Sequence, residues 1–245
     1  MPTETSSQTK EQSGFLKAHG LDNVDCPICG NVGQIYWKDE DGVTIHYKDC
    51  ECKKRRFALR NIANSNMEDD IKTCSFDNFQ TPDEETKKVK LKAMTFVNSD
   101  ARGFLIAGQS GAGKTHLCSA ICHAFLDKEI EAVKFKWREH GTELKTMITD
   151  SEEYQKKVNK LINVPVLYID DLWKGTISDA DINLAFTIFN GRYSNKRPIY
   201  KTIVSTELMP KELVEVDEAI GGRILELAKG FVIQAPKINW RLKGE

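Results

Sequence analysis

The chain has 245 residues, of which 29% are charged and 40% hydrophobic, and its formal net charge is −1. This length allows one sizeable hydrophobic core and a smaller module beside it. The near-zero charge excludes a globally basic nucleic-acid-binding protein, so any binding to DNA needs local patches. No apolar run approaches the ~18 residues of a membrane-spanning helix, so we expect no membrane association.

The cysteine count and the first residues indicate a reducing compartment. Seven cysteines, an odd number, occur in a chain whose first 14 residues are polar and lack the apolar core of a secretory signal. Such cysteines serve metal binding or packing rather than disulfides. We therefore expect a cytoplasmic protein, of a bacterium or of a host cell carrying a phage gene, with a disordered tail over residues 1–20.

Four of the cysteines form two close pairs, Cys26 with Cys29 and Cys50 with Cys52. The polar, aromatic stretch between the pairs is predicted to form a hairpin that turns at "DEDG". Two cysteine pairs about twenty residues apart are typical of a closed tetrahedral metal site. We expect Zn²⁺ there, with iron as the less favoured occupant of the same ligands. This zinc-binding module and the basic helix after it are assigned to residues 21–75.

Two local groups of basic residues could contact nucleic acid. The run "KKRRFALR" at residues 53–60 suits contacts to phosphates, or is a solvated helix face. Further along, Lys134, Lys136, Trp137 and Arg138 suit stacking and phosphate contacts to single-stranded DNA, or Trp137 simply packs in the core.

From residue 103 onward, apolar strands alternate with amphipathic helices, which predicts a parallel sheet covered by helices on both faces. Upstream of this region, Thr81 is predicted to be the N-cap of a helix whose first residue is Pro82. We assign this α/β domain to residues 76–245. The expected strands are 103–108, 132–137, 164–171, 201–206 and 231–234; the expected helices are 114–127, 139–148, 151–163 (capped by Asp150 or Ser151), 178–193, 210–217 and 219–229.

The stretch "GQSGAGKTHL" contains the G-x-x-x-x-G-K-[ST] spacing of a phosphate-binding loop. Glycines let backbone N–H groups close around phosphate oxygens at a helix N-terminus. Lys114 is expected to reach the β- and γ-phosphates of ATP, and the Thr115 hydroxyl to bind Mg²⁺. The alternative is a glycine-rich turn that matches the spacing by chance. The candidate nucleotide contacts are Gly108, Gln109, Ser110, Gly111, Ala112, Gly113, Lys114, Thr115 and His116. For His116 the alternative is a position on the helix surface.

The stretch "VLYIDDL" is a buried strand that ends in two aspartates. Carboxyl ends of such strands point toward bound phosphates. Asp170 is expected to hold the Mg²⁺ shell, as a Walker B aspartate does, and Asp171 to orient or deprotonate the attacking water. Alternatively, the pair caps the turn that follows.

Two later positions complete the expected catalytic set. Thr206, at the end of a strand beside the Walker B strand, is our first candidate for sensing the γ-phosphate, and Glu207 the second. Arg223 follows two glycines and opens a helix, where it could act in trans on a neighbour's nucleotide. The alternative is a surface arginine, slightly disfavoured by the helix dipole at that position.

The order of these features resembles the DnaC/DnaI/IstB group of AAA+ ATPases, especially bacterial and phage helicase loaders. The stretches that carry the resemblance are "SFDNFQTP", "GQSGAGKTHL", "VLYIDDL", "FNGRYSNKRPI", "TIVSTEL" and "GGRILEL".

The resemblance implies an AAA+ P-loop ATPase fold preceded by a small zinc-binding module. It implies that ATP is coupled to delivery of a DnaB-type replicative helicase onto single-stranded DNA, through an N-terminal helicase-docking module. It further implies self-assembly side by side, with Arg223 completing a neighbour's site, and contact of the helices at 139–163 with single-stranded DNA.

Two other functions remain open. One is an IstB-like transposition helper that binds double-stranded DNA. The other is a nucleotide-binding helicase inhibitor with little turnover. The sequence departs from the family at Glu207, where asparagine is common, and at Asp171, where many related ATPases have glutamate.

Overall fold

A computed structural model describes residues 26–147 and 151–242 of the chain. The expected tail over 1–20 and the expected helix cap at Asp150 lie outside these residues. The chain divides into two compact units after Arg60. No helix in the described ranges has the length and apolar character needed to cross a membrane.

The first unit contains the four paired cysteines and an antiparallel hairpin. Strands β1 (Gln34–Lys38) and β2 (Ile45–Asp49) pair along their full length, and the turn between them is closed by a Gly42 N–H donated to the Asp39 carbonyl. The predicted hairpin is thus confirmed. Helix α1 (Cys52–Asn64) then begins at the last cysteine and contains the basic run.

The second unit is built on a five-stranded sheet in which all neighbouring strands are parallel, in the order β4-β5-β6-β3-β7. This confirms the predicted parallel sheet. Strand β6 lies between the strand before the phosphate loop and the strand that carries the aspartates. The strands are β3 (Gly103–Ala107), β4 (Ala132–Lys136), β5 (Val166–Leu172), β6 (Lys201–Thr206) and β7 (Val232–Gln234).

Helices cover both faces of this sheet. Alternate residues of one strand enter different cores, so Phe104 packs toward α3 and α4 while Leu105 packs toward the later helices. The helices are α2 (Glu68–Thr73), α3 (Glu84–Val97), α4 (Lys114–Asp127), α5 (Trp137–Thr146), α6 (Ser151–Asn163), α7 (Asp179–Ser194), α8 (Pro210–Val216) and α9 (Glu218–Leu227), followed by a short 3₁₀ helix (Trp240–Leu242).

Helix α3 begins later than the sequence suggests. Its N-cap is Asp83, whose carboxylate accepts the Thr86 N–H at 2.8 Å, while Thr81 and Pro82 precede the helix. Thr81 is therefore wrong as the cap, because aspartate two residues later supplies a capping box with Thr86. The expected start of α7 after Ser178 is confirmed.

Residues 61–75 pack on the second unit, although the sequence groups them with the cysteine module. Met67 is 1% exposed and belongs to the same core as Val89 and Phe104. The segment therefore extends the second unit on its N-terminal side, and this unit begins at Asn61.

Arg192, inside "FNGRYSNKRPI", connects the residues just before β5 to the start of β6, at the end of these strands opposite the phosphate loop. It is 1% exposed. Its guanidinium donates to the Thr202 hydroxyl at 2.8 Å, and to the carbonyl oxygens of Leu161, Ile162, Val164, Pro165 and Lys201 at 2.7–3.3 Å. One buried side chain thus donates to several buried carbonyl oxygens, including that of Pro165, which also accepts the Lys201 N–H.

Candidate functional site

The phosphate loop lies between β3 and α4, where the spacing predicts it. Gly111 and Gly113 have φ angles of 79° and 82°, a region that residues with side chains rarely adopt. The Lys114 ammonium donates to the Gly108 and Gln109 carbonyl oxygens at 2.7 and 2.9 Å. The loop therefore closes around the lysine that is expected to contact phosphates.

The last described residues of the chain pack on this loop. Trp240 donates its backbone N–H to the Gly111 carbonyl at 2.9 Å, and Arg241 donates to the Ser110 hydroxyl at 3.3 Å. A Cβ on Gly111 would overlap the Asn239 side-chain oxygen, so a larger residue would displace that side chain in addition to straining the backbone. Sequence analysis missed the contact, because the partners lie 131 residues apart and the C-terminal segment carries no recognised motif.

Asp170 lies at the centre of a hydrogen-bond network beside the loop. The Thr115 hydroxyl donates to Asp170 Oδ1 at 3.2 Å, and the same oxygen accepts from the hydroxyls of Ser205, at 2.7 Å, and Tyr168. Burial raises the pKa of Asp170, but the Lys134 ammonium and the hydroxyls of Tyr168 and Ser205 lower it by more. The pKa of Asp170 therefore lies below its ordinary value. Asp170 is therefore ionised at neutral pH.

Thr115 and Asp170 together fit Mg²⁺. A hydroxyl and an ionised carboxylate are hard oxygen ligands of the kind that this ion prefers, and they are adjacent in the structure. The sequence predicts Thr115 and Asp170 as a pair of Mg²⁺ ligands, and their adjacency in the structure supports that prediction.

Lys134 and Trp137 are buried and do not form a DNA-binding surface. Lys134 is 3% exposed, and its ammonium lies 2.7 Å from Asp70 Oδ2 and 3.2 Å from Asp170 Oδ2. Trp137 is 4% exposed and packs in the core. The predicted basic–aromatic cluster is therefore wrong for these two residues, because β4 turns Lys134 toward acidic partners. Lys136 and Arg138 remain exposed.

An irregularity in β5 places Asp171 at the cavity. A regular strand would point consecutive aspartates to opposite faces of the sheet. Here the register with β6 shifts between Ile169 and Leu172, and Asp171 has a φ of 54°. Such bulges re-aim side chains next to functional sites. Asp171 consequently lines the same cavity as Lys114 and Thr115.

Lys174 pairs with two acidic side chains, Asp171 and Glu207, of which Asp171 lines the cavity. Its ammonium lies 3.0 Å from Asp171 Oδ2 and 2.9 Å from Glu207 Oε1. The Glu207 carboxylate raises the pKa of Lys174, and Lys174 in turn lowers the pKa of Glu207. Burial lowers the pKa of the nearby Lys114, against the opposing effect of Asp171 and Glu207. Sequence analysis did not single out Lys174.

Thr206 is fully buried, and its hydroxyl is used inside the fold. The hydroxyl donates to the Leu172 carbonyl at 2.9 Å and accepts the Leu208 N–H at 3.1 Å. The structure does not bring this side chain into the cavity. Glu207, the second candidate, instead reaches Lys174 at the cavity wall.

Arg223 lies away from the cavity of its own chain. It is the sixth residue of α9, which is capped by Asp217, so the expectation that it opens the helix is wrong. Its guanidinium donates to the Ala219 carbonyl at 2.9 Å and lies over the rings of Phe186 and Tyr193, with centroids at 5.2 and 5.9 Å. The aromatic platform holds the arginine at the surface of α7 and α9.

A cavity of about 630 Å³ opens over the phosphate loop, within the range of small-molecule sites. His116 forms part of its wall, in edge-to-face contact with Phe79 at 5.3 Å and 2.9 Å from Asn78 Oδ1. The cavity thus combines an aromatic wall with a cationic, hydroxyl-bearing loop. It is lined by Asn78, Phe79, Gln80, Pro82, Ser110 to His116, Asp171, Lys174, Trp240 and Arg241.

The four predicted metal-binding cysteines converge in the first unit. All four sulfurs lie within 4.8 Å of one another, with Cys26 and Cys50 3.7 Å apart and Cys29 and Cys52 3.4 Å apart. Ligands about 2.3 Å from a tetrahedral Zn²⁺ lie about 3.8 Å from each other. The Cys29 backbone N–H lowers the pKa of Cys26 to about 6, against the opposing effect of burial. Donor type and spacing both fit Zn²⁺.

Comparison with known proteins agrees with this architecture. A family model described as IstB-like ATP binding protein matches residues 37–225. The phage-like element PBSX protein XkdC of Bacillus subtilis (strain 168) is 28% identical over 90% of this chain and 87% of its own. The replicative helicase loader DnaC of Escherichia coli (strain K12) is 26% identical over 78% of each chain. A crystal structure of DnaI matches with a TM-score of 0.59 and 23% identity, covering 74% of this chain and 100% of that one.

The sheet order, the phosphate loop and the structural neighbours define an AAA+ P-loop protein. Because the family model spans more than half of the chain, this protein belongs to the IstB-like ATP-binding family. The resemblance to the DnaC/DnaI/IstB group inferred from the sequence is confirmed.

Proposed function

We propose that this chain is an ATP-dependent loader of a DnaB-type replicative helicase onto single-stranded DNA. The observation that carries the proposal is the arrangement of Lys114, Thr115 and Asp171 around one cavity, with Asp170 beside them accepting a hydrogen bond from the Thr115 hydroxyl. The replicative helicase loader DnaC of E. coli is similar over most of the chain, which supports this use of ATP.

Each residue of the site has a role in ATP hydrolysis to ADP and phosphate. Lys114 contacts the β- and γ-phosphates, and the loop amides bind the phosphate oxygens. Thr115 and Asp170 hold Mg²⁺, which neutralises charge on the phosphates. Asp171 orients the attacking water. Lys174 is paired with Asp171 in the structure, and hydrolysis by the single chain is weak until assembly or DNA completes the site.

The cysteine unit is the proposed helicase-docking module. Its hairpin exposes a row of apolar and aromatic side chains on one face: Tyr36 is 47% exposed, Ile45 62% and Tyr47 67%. The cross-strand register places these three on the same face. A hairpin of this size has little core of its own, so a bound metal would hold the face in shape.

Removing the metal is expected to abolish partner binding while sparing nucleotide binding. Cys26→Ser removes one of four ligands, and a zinc chelator removes the ion; both should unfold the first unit, because metal binding and folding are coupled there. The measurement is a pull-down of purified replicative helicase, with ATP affinity measured in parallel. Cys118→Ser, a buried cysteine of α4, is the control for general thiol effects. Helicase retention by metal-free Cys26→Ser would refute the docking role.

Single-stranded DNA binding is assigned to the exposed faces of α5 and α6. Arg138 on α5 and Lys156 and Lys160 on α6 are exposed. Phosphate contacts through such side chains fall steeply with salt, so affinity measured at increasing salt tests the assignment.

Arg223→Ala is expected to lower ATP hydrolysis about 100-fold or more in the assembled state, with little change in ATP affinity, because a trans-acting arginine stabilises transition-state charge. Arg223 lies over Phe186 and Tyr193 and does not line the cavity of its own chain, which supports a trans role. Activity against protein concentration is the measurement, with Arg197→Ala as an exposed control. An equal loss in the dilute monomer would contradict the trans role.

A second candidate function is an IstB-like transposition helper that binds double-stranded DNA; the matching family model is described as IstB-like ATP binding protein. Capture from host lysate with and without ATP discriminates the two. Recovery of a replicative helicase supports the loader, and recovery of a transposase supports the helper. A nucleotide-dependent helicase complex that blocks unwinding without turnover would identify an inhibitor.

A further inference from the structure

We propose that Lys174 is a γ-phosphate contact within the same chain, positioned by Glu207, and that its transfer from Asp171 to the phosphate lets the site distinguish ATP from ADP. The proposal rests on the proposed function only in requiring that the cavity binds ATP. It assigns the discrimination between the two nucleotides to a lysine outside the phosphate loop.

The first observation is the position of Lys174. Its side chain lines the cavity together with Lys114 and Thr115, the two residues that face the phosphate end of the site. Asp171 lines the same cavity, and Glu207 Oε1 lies 2.9 Å from the Lys174 ammonium. Lys174 is therefore within the region where the terminal phosphate of a bound triphosphate would lie.

The second observation is that the backbone holds Lys174 in place. Its N–H donates to the Asp171 carbonyl at 3.1 Å, which closes a tight turn directly after β5. Trp173, beside it, has a φ of 58° and is only 3% exposed, so its indole anchors the turn in the core. Gly175 follows with a φ of 95°. The backbone of this turn therefore holds Lys174 beside the cavity, and its position does not depend only on the rotamer of an exposed side chain.

The third observation concerns the chemistry of Glu207. An ionised carboxylate only accepts hydrogen bonds, so it cannot donate to a γ-phosphate and would repel it. Lys174 lies 2.9 Å from Glu207 Oε1 and supplies both the missing donor and the compensating charge. The glutamate thus becomes a positioning residue for the lysine, directly after the end of β6.

The contact between Lys174 and Asp171 provides a way for the site to distinguish ATP from ADP. Lys174 lies 3.0 Å from Asp171 Oδ2, so one ammonium is shared by two carboxylates. A γ-phosphate brings more negative charge than Asp171 and competes for the ammonium. When Lys174 moves to the phosphate, Asp171 is released to orient water. With ADP there is no competitor, and Lys174 stays on Asp171.

The test compares affinities of the full-length protein for a non-hydrolysable ATP analogue and for ADP, both with Mg²⁺, by calorimetry. Lys174→Met is expected to weaken binding of the analogue about tenfold, as for loss of one charge-assisted hydrogen bond, and to leave ADP within about twofold. Lys174→Arg should retain most of the discrimination. Lys211→Met, a lysine of α8 paired with Glu215 on the surface, is the matched control.

Coupling to Glu207 is tested by a double-mutant cycle. In a Glu207→Gln background the loss caused by Lys174→Met should shrink, because the lysine has already lost its positioning partner. Fully additive losses would overturn the positioning role of Glu207. Thermal melting checks that each variant folds, and Lys174→Gln repeats the comparison if the methionine variant does not.

The outcomes separate the two proposals. If the unmodified protein binds neither nucleotide, the proposed ATP-dependent function fails. If it binds both, and Lys174→Met leaves the ratio of ATP to ADP affinity unchanged or weakens both equally, the Lys174 proposal is overturned while the proposed function stands. Selective loss of the ATP analogue supports Lys174 as the γ-phosphate contact.

Discussion

Lys114→Ala is expected to reduce affinity for ATP by about 100-fold or more, equivalent to about 3 kcal/mol. The Lys114 ammonium is 5% exposed and lies inside the phosphate loop, held by the Gly108 and Gln109 carbonyl oxygens. Charge-assisted contacts to phosphate are strongest where water is excluded, so removing this cation costs more than removing a surface lysine. ADP affinity should fall as well, because the β-phosphate shares the contact.

The measurement is equilibrium binding of a fluorescent ATP analogue, with melting temperature as a check on folding. Lys114→Met, which keeps most of the side-chain volume, separates loss of charge from loss of packing. Lys211→Ala is the surface control. Unchanged ATP affinity in both Lys114 variants would remove the assignment of the phosphate loop, and with it the proposed function.

The phosphate loop and the sheet could be predicted because their signals are local. The strand before the loop is a short apolar run and is fully buried, and the helix after it follows directly. Spacing within "GQSGAGKT" reflects the turn geometry that phosphate binding requires, so sequence and structure agree there. The cysteine pairs are equally local, since each pair lies on one turn.

Contacts between distant segments could not be predicted in this way. The packing of Trp240 on Gly111 and the joining of Asp171 to Glu207 by Lys174 depend on which strand ends meet. A single sequence gives no register for such pairs. The burial of Lys134 could not be predicted for the same reason, because its partner Asp70, on α2, lies 64 residues away in the sequence.

The structure also changes how the stretch "FNGRYSNKRPI" is understood. It contributes to the resemblance to AAA+ helicase loaders, yet none of its residues lines the nucleotide cavity. The first of its two arginines, Arg192, instead connects Val164, just before β5, to Lys201, at the start of β6, at the end of these strands opposite Asp170 and Glu207. The relative position of these two strands determines how Asp170, Ser205 and Glu207 meet, so the stretch supports the site indirectly.

Arg192→Ala is accordingly expected to destabilise the second unit by about 3–5 kcal/mol, because buried carbonyl oxygens would lose their donor and each unpaired polar group costs about 1–3 kcal/mol. For a domain of this size the melting temperature should fall by roughly 10 °C or more. Arg192→Lys should recover little, because one ammonium cannot reproduce the fork that serves carbonyls on both strands.

Arg197→Ala is the matched control, since Arg197 lies five residues further along the same stretch and is exposed. Thermal denaturation followed by circular dichroism gives the stability, and ATP affinity is measured well below the transition. We expect near-normal ATP affinity in Arg192→Ala while the protein remains folded, since the guanidinium is outside the cavity. Equal melting temperatures for the Arg192 and Arg197 variants would contradict the fastening role. Loss of ATP binding without loss of stability would instead place Arg192 in the function of the site, so the two measurements together separate support of the strands from contact with nucleotide.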